Sequence, residues 1–116
     1  MNAASTEAVI RNHLKVFLEQ HNAVAMLDDY ADDARLHSDL RVYQGKREIQ
    51  AFFEDFFTGL PPRAIERFAL RTLRVDGRLG YITWNVGDDI PLGTDTFVVD
   101  GGKIVSQTVA MHVAKR

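Results

Sequence analysis

The hydrophobic positions of this chain follow two different periods. After Ser5, a residue type suited to capping a helix, Val9, Ile10, Leu14, Phe17 and Leu18 recur at three- and four-residue spacing. That stripe predicts an amphipathic helix ending near Gln20. Asn22 is placed to cap a second, shorter helix in which Val24, Leu27 and Tyr30 share a face before the acidic stretch YADDA closes it. The period then changes to two. From Ala34 to Val42 the even positions read Ala, Leu, Ser, Leu, Val and the odd positions Arg, His, Asp, Arg, the alternation of a half-buried strand. Gly45 breaks that strand. Ile49, Phe52, Phe53, Phe56 and Phe57 then form a third helical stripe that ends at Gly59, with Pro61 and Pro62 just beyond.

After Pro62 the pattern is that of sheet. Segments near 63–75, 80–87, 94–100 and 103–113 are separated by the turn-forming stretches VDGR, GDDIPLG and DGG. Three helices followed by a four-strand meander predict an α+β fold, with the helices covering one face of a mostly antiparallel sheet. A length of 116 residues, 46% of them hydrophobic, suits one domain over 1–116 with no linker.

Composition narrows the function. Lys plus Arg number 14 against 16 for Asp plus Glu, and the net charge of -2 offers no basic field for a phosphate backbone, so nucleic acid is not an expected partner. The absence of cysteine removes disulfides, thiolate metal sites and a Cys nucleophile. The start, MNAASTEAVIRNH, carries no long apolar run, so neither a signal peptide nor contact with a membrane is expected and a cytoplasmic address is the default. No GxSxG or P-loop is present, and DGGK reads as a hairpin turn. His37, Asp39 and His112 lack any recognised ligand spacing, so no metal is expected.

Three phrases carry a family resemblance: YADDA closing helix two, QGKREIQAFFEDFF as a glycine entering helix three, and DTFVVDGGKIVSQ as a strand pair around a tight turn. With the order of elements from about Val9 to Lys115, they resemble the SnoaL-like group of the nuclear transport factor 2 superfamily, which includes ketosteroid isomerase and limonene epoxide hydrolase. The resemblance implies a cystatin-like cone: a curved sheet wrapped around the long N-terminal helix, with an apolar cavity inside and usually a homodimer through the sheet. It implies no cofactor. Isomerases, cyclases, hydrolases and non-catalytic binding proteins share this scaffold, so two readings stay open. One is an enzyme acting on a small hydrophobic substrate by acid/base chemistry; the other is a binding module for a hydrophobic metabolite or a protein partner.

Strand parity turns Phe68, Leu70, Ile82, Trp84, Val86, Phe97, Val99, Val109 and Met111 inward. The expected substrate pocket is lined by Leu14, Phe17, Phe56, Trp84, Phe97, Gln107, Val109 and Met111. Asp95 and Gln107 are the polar residues sharing the inward parity, and buried polar groups need partners. An apolar site would raise the Asp95 carboxyl pKa. Through the resemblance to ketosteroid isomerase, Asp95 matches an aspartic acid that stays protonated and donates a hydrogen bond to the developing oxyanion. The isomerase base falls at Ser38 by ungapped alignment, one residue before Asp39. A bulge would turn Asp39 inward beside His37, an imidazole able to shuttle a proton near neutrality. His37 and Asp39 are therefore the candidate bases, against the alternative of a solvated edge strand.

The isomerases' helix-one tyrosine falls at Leu14, and neighbouring His13 is either a substitute donor or a packed ring with one nitrogen satisfied. The carboxylates and arginine that hold water in limonene epoxide hydrolase have no evident counterpart. Asp28, Asp29, Asp32 and Asp33 read as a solvated helix end. The outward sheet face carries Arg67, Arg71, Tyr81, Thr83, Thr96 and Val98, a mixture suited to a non-obligate interface.

Overall fold

The computed structural model describes residues 3–115. Helix α1 spans Ala3–Gln20 and buries Thr6, Ile10, His13 and Phe17, one stripe at three- and four-residue spacing. It begins at Ala3, so Ser5 stands within its first turn rather than capping it. The Thr6 hydroxyl donates to the Gly77 carbonyl at 2.6 Å, tying the helix to a turn of the sheet. Helix α2 is a single turn, Ala23–Met26, and Asn22 caps it as its sequence suggests, with Oδ1 accepting from the amides of Val24 and Ala25. A 3-10 turn, Leu27–Asp29, leads into strand β1, Tyr30–His37.

Two expectations change here. Tyr30 does not share a helix face with Val24 and Leu27; it opens β1 and is buried. Nor does a strand run through to Val42, because the Ser38 hydroxyl accepts from the amides of Leu40 and Arg41 and folds residues 38–41 into a tight turn. Strand β2, Val42–Gln44, returns antiparallel to β1. The acidic run is divided too. Asp32 and Asp33 are exposed on β1, but Asp29 is buried against α1, where Asn12 Nδ2 donates to it at 2.9 Å.

Helix α3, Gly45–Thr58, buries Ile49 and Phe53 and half-buries Phe52, Phe56 and Phe57. Gly59 ends it, its amide bonding the Asp55 carbonyl. Beyond the prolines comes not sheet but one more helical turn, α4 at Ala64–Arg67, followed by β3, Phe68–Asp76. Strand β4 covers Leu79–Val86, β5 covers Ile90–Asp100 and β6 covers Lys103–His112. The six strands form one open sheet in the order β2-β1-β6-β5-β4-β3, antiparallel except where β1 runs parallel to β6. Shifts of register in the β3–β4, β4–β5 and β5–β6 pairings mark the irregularities that bend and twist such strands.

This is the expected α+β cone: a curved, mostly antiparallel sheet around α1, closed on its concave side by α3. Ile10 of the helix packs over Gly80 of the sheet, where a Cβ would stand 2.0 Å from Ile10 Cδ1. The bulge at Arg71 reverses the parity of the rest of β3, so Leu73 and Val75 pack on the core. Leu70, which precedes it and pairs with Trp84, keeps the expected face but is 38% exposed. Arg67 is likewise not on the sheet; it belongs to α4 and pairs with Asp89 at 2.6 Å. No helix among the described residues is long and apolar enough to cross a membrane.

Candidate functional site

Where α1 and α3 diverge above the sheet they leave a cavity. Helix α1 contributes His13, Leu14 and Phe17 to its wall, and α3 contributes Phe52, Phe53 and Phe56. The sheet supplies Phe68, Ile82, Trp84, Phe97 and Val109, together with Asp95 and Gln107. Only His13 and Asp95 among these can titrate near neutrality.

The polar side chains form a directed chain. Asp95 is buried on β5, with Trp84 Nε1 donating to Oδ1 at 2.7 Å and Gln107 Nε2 donating to Oδ2 at 2.7 Å. The Gln107 Oε1 in turn accepts from the Tyr30 hydroxyl. Tyr30 is buried, and desolvation of its phenolate, with the charges of Asp95 and Asp29 adding to it, pushes its pKa well above the usual value. It therefore stays a neutral donor and fixes the Gln107 amide with its N–H toward Asp95.

Burial drives the Asp95 pKa up, the bonds from Trp84 and Gln107 draw it back, and the balance is about 6. Two N–H donors favour a carboxylate. Asp95 is thus mostly ionised at pH 7, which differs from the protonated hydrogen-bond donor that alignment with ketosteroid isomerase suggests. His13 is displaced the other way, with burial lowering its pKa to about 4, so its ring is neutral at pH 7. The ring is packed, meeting Tyr30 and Phe97 edge-on, but its Nδ1 is buried with no hydrogen-bond partner.

The structure places Leu14, Phe17, Phe56, Trp84, Phe97, Gln107 and Val109 in the wall of this cavity. Met111 is not among them. It is 40% exposed near the end of β6 and lines a separate outer depression with Ser38, Asp39, Leu40, Tyr43 and Asp55. Asp39 lies in the turn that Ser38 organises, so no bulge carries it into the cavity, and exposed His37 lines neither space. Neither residue is brought together with Asp95. Tyr30 had no local signal for its role, since its partner Gln107 is 77 residues away. Among the described residues, no group of three or more His, Cys, Asp or Glu side chains is arranged to hold a metal ion.

Comparison with known proteins agrees with this architecture. Residues 10–107 match the family model of the SnoaL-like domain. A crystal structure of a nuclear transport factor 2-like protein of unknown function from Burkholderia xenovorans LB400 superposes with a TM-score of 0.76 at 18% identity, covering 100% of this chain and 89% of that one. A candidate ketosteroid isomerase from Kribbella flavida DSM 17836 superposes at 0.73 with 17% identity, covering 98% and 82%. A de novo designed protein with a curved β-sheet does so at 0.77 with 16% identity, covering 97% and 88%. At these identities the likeness is one of fold alone. No curated protein matches the chain in sequence.

Proposed function

Because the chain belongs to the SnoaL-like family, we propose that its cavity carries out proton transfer on a small hydrophobic substrate, with the Asp95 carboxylate as general base. One observation carries the reading: Asp95 is the sole carboxylate in the wall of an apolar cavity, with a pKa of about 6. A base that titrates near neutrality is both ionised and basic enough to work there. It takes a proton from a carbon beside a carbonyl and the electron pair moves to the carbonyl oxygen. As the pair returns, the carboxylic acid gives the proton back to that carbon, or to the far carbon of an adjoining C=C bond where the substrate has one. Neutral His13, the other titratable group on the wall, is the available donor to that oxygen. This chemistry calls for no cofactor.

The test uses exchange rather than a guessed substrate. Small apolar ketones in deuterated water should exchange their α-protons faster with the protein present, and Asp95→Asn should abolish the acceleration while sparing ketone binding. Carbon-detected titration of the Asp95 carboxyl should give a value near 6. A value near the ordinary 3.9, with exchange indifferent to Asp95→Asn, would sink the reading.

Leu14, where the resemblance to ketosteroid isomerase places a tyrosine, favours a second reading in which the cavity only binds a hydrophobic metabolite. Ketones that bind without accelerated exchange would select it. Under either reading we propose a homodimer through the outer sheet face, supported by the exposed Leu79 and Tyr81 of β4. Sedimentation equilibrium reads that directly, and a monomer mass at high concentration would exclude it.

A further inference from the structure

The inner cavity holds a small group but not an elongated ligand. Its volume is 40 Å³, room for about three water molecules, whereas ligand cavities usually run to roughly 300–1,000 Å³. Phe52, Phe56 and Val109 wall this cavity, and the same three residues wall the outer depression, whose volume is 240 Å³. The depression continues along β6 past Ala110 and Met111. The two spaces are therefore neighbours that share one wall.

The chemistry of the outer space differs from that of the inner. Asp39 and Asp55 line it, and neither has an ion-pair partner among the described residues. Arg41 stacks on the neighbouring Tyr43 ring at 4.4 Å, but its charge is already compensated by Glu48 at 3.2 Å. The outer space thus favours a cation and repels an anion, and its exposure lets that cation keep part of its hydration. The inner space is walled by phenylalanines and would desolvate a charged group at large cost.

We propose that the two spaces form one ligand site for an elongated amphiphile. Its apolar end passes Phe52, Phe56 and Val109 to reach Asp95, and its other end, a primary ammonium, lies against Asp39 and Asp55. The inference rests on the reading above that the inner cavity takes an apolar group, and it gives Asp39 a part in recognition rather than in proton transfer.

The probes are hexylamine, 1-hexanol and hexanoate, which share one chain and differ in head-group charge. Trp84, the one tryptophan of the chain, lies in the inner wall and reports its occupancy by fluorescence. Hexylammonium should bind about fivefold more tightly than hexanol at low ionic strength, with hexanoate weakest. The preference should vanish in the Asp39→Asn/Asp55→Asn double variant, whose altered side chains are exposed, and should shrink at high salt. If Trp84 responds equally to hexylamine and hexanol, or if the double variant keeps the preference, the ammonium subsite is wrong while the inner-cavity reading survives. Backbone amide shifts at Asp39 and Asp55 with a silent Trp84, or no response to any probe, would overturn both.

Discussion

Trp84 and Asp95 meet diagonally across two strands. Trp84 stands opposite Gly93 in the β4–β5 register and Asp95 stands opposite Ile82, yet the indole Nε1 reaches Asp95 Oδ1 at 2.7 Å. Long side chains bridge such diagonal neighbours when nothing stands between them. Here the space is left by Gly93, where a Cβ would fall 2.2 Å from Trp84 Cε2 and 2.3 Å from Cζ2. The glycine lets the ring lie across it toward Asp95.

Gly93→Ala should therefore damage the site and not only the fold. The indole is rigid and must move as a whole, breaking its bond to Asp95, at about 1–3 kcal/mol of overpacking strain. Because the Trp84 bond lowers the Asp95 pKa, its loss should raise that pKa further and shift Trp84 emission. Gly80→Ala is the control. Its Cβ would meet only the tip of the Ile10 side chain, which a rotamer change relieves, so it should cost less and leave the Asp95 titration where it was. Equal Asp95 titration in both variants would mean that Gly93 does not set the site.

Tyr30→Phe tests the far end of the chain of bonds. Removing the hydroxyl leaves Gln107 Oε1 buried without its donor, at about 1–3 kcal/mol. With its amide no longer pinned, Gln107 should donate less well to Asp95, and the Asp95 pKa should rise. Tyr30 touches no substrate in this arrangement and acts by positioning. Its signature is a displaced acid limb in the pH profile of proton exchange, together with a displaced Asp95 carbon titration. A variant that is only less stable, with both curves unmoved, would reduce Tyr30 to a core residue.

The parts of this protein legible from sequence are those set by local rules. Asn22 caps because its side chain reaches two amides a few residues on, and Gly59 ends α3 beyond a stripe of phenylalanines. Asp95 and Gln107 were recognisable as polar residues on an apolar strand face, and both are buried. What escaped depends on longer range or on a single competing bond. Hydrophobic alternation runs on through residues 38–41, but the Ser38 hydroxyl captures two amides and turns the chain, taking Asp39 away from the inner cavity and Asp95. The Arg71 bulge reverses parity midway along β3, a shift that alternation alone does not encode. Tyr30 meets Gln107 only because β1 pairs parallel with β6, a contact between distant segments.

The two buried titratable groups of the cavity make opposite demands on stability, and that opposition can be measured. Asp95 has a folded pKa of about 6, above its unfolded value of about 3.9, so the native state holds more protons and stability falls as pH rises between them. His13 has a folded pKa of about 4, below its usual 6.5, so the unfolded state holds more protons and stability rises across nearly the same window. Each shift is a little over two pH units, or about 3 kcal/mol in each direction. In the intact protein these contributions largely cancel between pH 4 and 6, with Asp29, whose pKa burial also raises, tilting the balance toward a fall. Urea unfolding across that range should therefore show a shallow dependence. His13→Phe, which keeps a ring beside Tyr30 and Phe97, should expose the Asp95 slope and lose stability steadily from pH 4 to 6. Asp95→Asn should expose the opposite slope and gain stability over the same interval. Two variants with the same sign of pH dependence would show that the carboxyl and the imidazole are not both buried in one cavity.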